Sequence, residues 1–399
     1  MSSIARSSKP KFHHDSGARP NEEVGRGPLS TSFRNAPKIA INGRFLTQKL
    51  VGVQRFATET TKALDRLLGD PAYAALRGNI EIVAPRAAQA FDLEYIPVRR
   101  CGFLRGYAWE QIEFPLHSAG SLRLNLCILG PVAVRRQIVV FHDATVRAMP
   151  DTFSWKFRAV YNTLMPMLMR SDCVAAVSDF SRHEIGKYYG ADIARMPVCH
   201  EGGDHILAAP ADRSVLERIG AAGRPYFLGV GVFSSNKNMK LALDAFLQSG
   251  LDDTLLVLTG SPDPHSAIYS AVVSDKRVRL AGYVTDAQLR ALYENALALV
   301  FPSTYEGFGL PPLEAMQAGC PVVISPQPAL VEVGGNAVLK CAMHDVAGLT
   351  DLMRQLHGDA TLRARLKTAG LERAGRFTWK RTAQTLLDLC LEVAASRRA

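Results

Sequence analysis

The chain predicts an α/β protein built from two doubly wound domains that face each other across a cleft. Three observations carry that expectation. Short continuous apolar runs, such as Ile138-Val139-Val140-Phe141 and Leu297-Ala298-Leu299-Val300-Phe301, alternate with amphipathic stretches, as buried parallel strands alternate with helices. The alternation breaks into Gly, Pro and Ala between Gly202 and Pro225 and then resumes as a second series. A length of 399 residues also favours two cores over one. The expected units are a disordered leader (1–36), an N-terminal domain (37–207), a C-terminal domain (208–375), and a closing helix within 376–399 that returns towards the N-terminal domain.

The first domain opens with a strand at 38–43. Gly52-Val53-Gln54-Arg55-Phe56 then starts an amphipathic helix to about residue 68, with Phe56, Ala63, Leu64 and Leu67 on its core face. Strands follow at 79–84, 124–129 and 137–141. The last delivers His142-Asp143 at its carboxyl end, where open α/β sheets place their ligands; a structural histidine bonded to its neighbour is the alternative. Residues 154–170 read as a helix, 173–177 as a strand and 179–189 as a helix with Ser178 as N-cap. Between them, residues 99–109 interleave arginines with aromatics. They read as a basic loop folded on the domain, with docking at a membrane surface as the alternative.

The second domain repeats the pattern with strands at 226–230, 255–258 and 278–280, a helix at 239–247, and a Thr285/Gln288 capping box that starts a helix to about residue 295. Asn236-Lys237-Asn238 lies at its first strand-loop-helix joint, where a lysine can neutralise a diphosphate that also meets free backbone N–H groups. After the strand at 297–301 comes Glu306-Gly307-Phe308-Gly309-Leu310-Pro311-Pro312-Leu313-Glu314. The prolines suit a first helical turn, and the two carboxylates, eight residues apart with glycines between, flank its start. That arrangement suits a sugar nucleotide. A strand at 321–325 and helices at 345–356, 361–373 and 379–393 complete the chain.

Composition excludes several classes. The net charge of +10 is spread along the chain without zinc-finger, basic-zipper or aromatic RNA motifs, so anionic phosphates are better partners than nucleic acid. The seven cysteines form no C-x-x-C pair, which supports neither a disulfide framework nor a zinc site, and His13-His14 lies in the leader. No run of about 18 apolar residues and no signal-peptide core occur. The expectation is a cytoplasmic protein, peripheral on the inner face of the plasma membrane.

The most specific segment is Phe301-Pro302-Ser303-Thr304-Tyr305 with the E-x7-E element and Glu314-Ala315-Met316-Gln317-Ala318-Gly319-Cys320-Pro321-Val322. With Gly52-Val53-Gln54-Arg55, Trp109-Glu110-Gln111, Val140-Phe141-His142-Asp143, Val177-Ser178-Asp179-Phe180-Ser181 and Asn236-Lys237-Asn238 in the same order, it resembles the retaining glycosyltransferases of the GT-B fold, family 4. The resemblance covers about residues 38–393. It implies that Glu314 binds the donor ribose and that Glu306 contacts the transferred sugar. Lys237, beside Asn236, would hold the diphosphate, and the Gly52 loop would approach it from the other domain. Gly307, Phe308, Gly309 and Leu310 would line the donor, and His142 would lie near the anomeric carbon. His142, Glu306 and Lys237 thus form the implied catalytic set, with Arg55, Trp109, Glu110 and Asp143 on the acceptor side.

No cofactor is implied beyond the nucleotide-sugar donor, and the lack of a D-x-D element makes a metal unexpected. Within the family, the motifs look like those of mannosyltransferases that build surface polysaccharides on polyprenyl-diphosphate carriers. GDP-mannose is the expected donor and a glycan or lipid-linked oligosaccharide the expected acceptor, with peripheral contact to an anionic membrane. UDP-hexoses, dTDP-rhamnose and a catalytically silent nucleotide-sugar-binding protein are the alternatives. One departure stands out: where many relatives carry an arginine before the lysine, Gly229-Val230-Gly231-Val232-Phe233 offers no cation.

Overall fold

The computed structural model describes residues 37–231, 235–260, 269–270 and 274–396. The leader with His13-His14, and Val232 and Phe233 of the cation-free stretch, lie outside the described residues.

The first sheet comprises β1 Ile39–Asn42, β2 Ile80–Pro85, β3 Val98–Cys101, β4 Leu122–Asn125, β5 Gln137–Phe141 and β6 Cys173–Ala176, in the order β3-β2-β1-β4-β5-β6. The second comprises β7 Tyr226–Gly229, β8 Leu255–Thr259, β9 Val278–Gly282, β10 Ala298–Phe301, β11 Val322–Ile324 and β12 Leu339–Lys340, in the order β12-β11-β10-β7-β8-β9. All strand pairs within both sheets are parallel. The second order repeats the first, strand for strand. Each sheet therefore has a switch point, between β1 and β4 and between β7 and β10, where connections leave in opposite directions and open a crevice at the carboxyl ends. The expected pair of doubly wound domains is present.

The longer helices are α1 Gly52–Gly69, α2 Trp155–Leu168, α3 Asp179–Tyr189, α4 Met239–Gln248, α5 Asp286–Asn295, α6 Leu310–Gln317, α7 Pro328–Gly334, α8 Val346–Gly358, α9 Ala360–Ala374 and α10 Trp379–Ser396. α1 buries the predicted Phe56, Ala63, Leu64 and Leu67, and Thr285 and Gln288 form both halves of a capping box. α10 packs on α1: Trp379 and Phe56 meet at 5.9 Å between ring centroids, and Leu386, Leu387 and Cys390 are buried.

Three local differences have physical causes. The strand expected at 124–129 runs from Leu122 to Asn125, and Ile128, at φ 68°, has left the extended region. The segment read as a basic loop is an edge strand (β3) followed by a helical run from Gly106 to His117 with a π-turn at Trp109–Glu113; β3 has no buried residue and carries Arg99-Arg100 at its centre, so no apolar run announced it. The short α7 and two-residue β12 fell below the length at which periodicity is readable.

The domains also meet through polar contacts. The Glu332 carboxylate of α7 accepts the first two N–H groups of α3, from Asp179 and Phe180, at 2.8 and 3.1 Å, while His200 Nε2 lies 3.0 Å from the same carboxylate. Ser178 and Ser181 donate their hydroxyls to Gly307 O. Among the described residues no helix is long and apolar enough to cross a membrane.

Candidate functional site

The carboxyl ends of the two sheets line a common cleft. Gly52, Arg55, His142 and Asp143 face it from one domain, and Lys237, Glu306, Gly307, Phe308, Gly309, Leu310 and Glu314 from the other. Lys237 follows β7 and Glu306 follows β10, so they stand on either side of the second switch point. Lys237 Nζ is 2.6 Å from Glu306 Oε1, which also accepts the Ser303 hydroxyl at 2.6 Å. Asn236 ties the two loops together: its side-chain amide donates to Tyr305 O at 3.2 Å, and its backbone carbonyl accepts Thr304 N at 2.7 Å.

Two glycines are required here. A Cβ on Gly307 would stand 2.1 Å from His142 O, so only glycine lets this loop touch the opposite domain, and Gly309 has φ +108°. Helix ends carry a second signal. α2, α3, α5, α7, α8 and α9 each have a side chain capping their first N–H groups. α1, α4 and α6 have none. α1 and α6 begin in the cleft wall, and α4 begins two residues after Lys237. Uncapped N-termini present free N–H groups and partial positive charge, which suits an anion; α6 contributes only its Leu310 N–H, because Pro311 and Pro312 have none and Leu313 N bonds Gly309 O. The αL conformation of Asn238 (φ 49°), the N-cap of α4, is backbone strain of the kind found at functional sites.

Glu314 is buried. Tyr293 donates its hydroxyl to Oε2 at 3.0 Å, and His205 Nε2 stands 3.0 Å from Oε1. Burial opposes the charge, but His205, Arg55 and Tyr293 outweigh it and hold this carboxyl below the ordinary carboxylate range. His142 is buried too. Its Nε2 lies 2.9 Å from Leu126 O and its Nδ1 3.3 Å from Glu201 Oε1, while Phe56 meets the ring edge-on at 4.8 Å. With both nitrogens engaged, this ring is held in place; it suits an electrostatic or orienting role rather than that of a free base. Asp143 also faces the cleft, one oxygen accepting Thr145 N at 2.7 Å.

Two residues expected on the acceptor side are elsewhere. Trp109 is fully buried against Ala40, Val83 and Phe114, with its indole N–H on Cys101 O at 3.1 Å. Glu110 is buried against Arg44 at 2.9 Å and Asn42 at 2.8 Å. The π-turn rotates both inward, which the adjacent arginines disguised. Arg55 does reach the cleft, where it is bonded bidentately to Asp286 of the other domain at 2.7 and 2.6 Å. Sequence reasoning missed His205, Tyr293 and Glu201, and also Thr259, Gly260, Gly282, Tyr283 and Val284, which line the cleft. The last five lie at or just after the ends of β8 and β9, so the strand-end rule could have found them. Burial pushes the Cys127 and Cys320 thiols up to about 12, so neither is a nucleophile at neutral pH.

Comparison with known proteins gives a consistent picture. The family model for glycosyl transferases group 1 matches residues 217–373. The chain is 33% identical over 269 residues to the O-antigen chain mannosyltransferase B of Escherichia coli, covering 64% of this chain and 70% of that protein. It is 28% identical over 250 residues to the serotype-specific mannosyltransferase WbdA of the same species, covering 58% of this chain but only 30% of that longer protein. Among solved structures, the sucrose-phosphate synthase of Thermosynechococcus elongatus superposes with a TM-score of 0.67 at 17% identity, over 90% of this chain and 99% of that one.

Proposed function

This chain belongs to the group 1 glycosyltransferases, and on that premise we propose that it moves mannose from GDP-mannose to a growing, lipid-linked surface polysaccharide with retention of anomeric configuration. It is a hexosyltransferase of the GT-B fold. The observation that carries the reading is the convergence of Lys237 with the uncapped starts of α1 and α4, a constellation suited to a diphosphate leaving group.

In this reading Lys237 leaves Glu306 for the diphosphate, which releases Glu306 for hydroxyls of the sugar, and Glu314 grips the ribose. The acceptor oxygen attacks the anomeric carbon from the face that the β-phosphate oxygen leaves. That C–O bond breaks as the new one forms, and the acceptor proton passes to the departing phosphate. Helix ends supply part of the positive charge that the cation-free 229–233 stretch lacks.

An acceptor carried on lipid is supported by the N-terminal surface. Phe103, Leu104, Ile112 and Leu116 are all exposed, and Glu113 accepts the N–H groups of Phe103 and Leu104, which brings the loop against the helical run. Arg86 lies over the Phe103 ring at 4.1 Å, and Arg100 and Arg105 are exposed nearby in the chain. Apolar side chains among arginines suit an anionic bilayer surface.

The test is transfer by the purified protein from GDP-mannose, UDP-hexoses and dTDP-rhamnose, with the product anomer read by NMR. Transfer of mannose with retention is expected, and a true donor at 100 times its dissociation constant stabilises the fold by about 2.7 kcal/mol. An inverted product refutes the mechanism; absence of both turnover and thermal shift refutes the enzyme. Sedimentation with anionic but not zwitterionic vesicles, lost in Phe103→Ser, tests the membrane face.

A further inference from the structure

Two segments pass between the domains side by side. One contains the short turn Asp204–Leu207; the other leads from α9 into α10. They are laced together: Gly203 N donates to Phe377 O at 3.3 Å, Trp379 N to Asp204 Oδ1 at 2.8 Å, and Thr382 Oγ1 to His200 O at 2.7 Å. His205 sits at their junction with its side chain only 2% exposed. The Trp379 indole N–H donates to His205 Nδ1 at 3.1 Å. An indole is only a donor, so Nδ1 accepts and the ring proton of the neutral form belongs on Nε2.

That Nε2 stands 3.0 Å from Glu314 Oε1 and has no other partner among the described residues. The contact has ion-pair length but is oblique to the N–H direction, since the geometry of a formed hydrogen bond is not met. Trp379 in turn packs on Phe56, and Phe56 on His142. The carboxylate at the cleft floor is therefore tied to the strap that joins the domains.

We propose that His205 is a positioning residue for donor binding, holding the Glu314 carboxylate and fixing it relative to the interdomain crossing through Trp379. The inference rests on Glu314 being the donor-gripping glutamate. His205 touches no reacting atom; it acts by orienting Glu314, and its own tautomer is set by the first residue of α10.

Two substitutions separate the two sides of the ring. In H205N the amide oxygen takes the place of Nδ1 and keeps the indole partner, but nothing reaches Glu314. In H205Q the amide nitrogen takes the place of Nε2 and restores that contact. The probe is whichever of GDP, UDP and dTDP gives the largest thermal shift with the unchanged protein, together with its nucleoside, measured well below the melting temperature.

H205N is expected to weaken both nucleotide and nucleoside by about tenfold and to raise the donor KM more than it lowers kcat. H205Q recovers most of the affinity. Equal loss in both variants, or loss in neither, overturns the proposal. W379F, which frees the ring tautomer, is the second probe if H205N does not fold; a folded W379F with unchanged affinity overturns the tautomer assignment and the coupling with it. E314Q separates the levels. If it binds nucleotide as tightly as the unchanged protein, or if no nucleotide binds at all, the donor-site reading fails. If it weakens binding while folded H205N does not, only the role of His205 fails.

Discussion

The two sheets share one strand order, yet their switch points are used in opposite ways. In the N-terminal domain the ends of β1 and β4 carry Asn42 and Asn125, bonded to each other at 3.0 Å, with Asn42 also on Glu110 and Asn125 on Gln137. Arg44 closes on Glu110, and Asn42, Arg44, Glu110, Asn125 and Gln137 are all buried. In the C-terminal domain the equivalent crevice holds Lys237, Glu306 and the uncapped start of α6, all facing the cleft. Topology supplies two equivalent crevices. Chemistry decides between them: amides and an ion pair bond one another and shut the first, leaving Glu110 Oε2 without a partner among the described residues, whereas a lysine and the Leu310 N–H face the cleft in the second.

The contrast can be broken from either side. Removing the charge that plugs the first crevice, Glu110→Ala, leaves Arg44 buried without its partner and should cost about 3–5 kcal/mol of unfolding free energy, read by denaturant titration. The folded fraction should keep its donor KM; a lost KM with intact stability would make the first crevice a ligand site after all. In the second crevice, Lys237→Ala should lower kcat about 10²- to 10³-fold with little change in stability. A loss of stability as large as that of Glu110→Ala would reclassify Lys237 as structural.

A smaller effect concerns the support of Glu314. Tyr293→Phe removes one buried hydrogen bond to the carboxylate and should weaken nucleotide binding and lower stability together, each by about 1 kcal/mol; calorimetry and melting measure both. Unchanged nucleotide affinity would detach Tyr293 from the site.

The smallest effect is in pH. Burial works against the charge of Glu332, but His200 and the Asp179 and Phe180 amides more than compensate and bring it below its ordinary 4.5. A depressed carboxyl contributes stability that is fully present above the ordinary value and is lost as pH falls through the lower folded one. Glu110 has the opposite sign: burial raises it despite Arg44, so it costs stability above the ordinary value. Hydrogen exchange should therefore show the α3 N-terminal amides opening only in acid below the ordinary carboxyl range, while the Glu110 network does not loosen there. Opening of both at the same pH would mean that the interdomain contact at Glu332 and the first crevice do not differ in this respect.

Much of the fold is legible in the sequence. Period and apolar runs placed β1, β5, β10, α1 and α3, because each element reports its own burial through its own residues. Strand ends placed His142, Lys237 and Glu306 in one cleft, since parallel sheets bring all their carboxyl ends to one edge. The capping box at Thr285 was equally local.

Other features had no local trace. Trp109 and Glu110 turn inward because a π-turn rotates them. Arg55 meets Asp286 across 231 positions of sequence, and Glu314 takes Tyr293 and His205 from a different helix and from the crossing strap. Periodicity states that a face is buried but not which partner covers it. That choice depends on how the two domains and their linkers come together, and here it decides which charges are paired within the protein and which face the cleft.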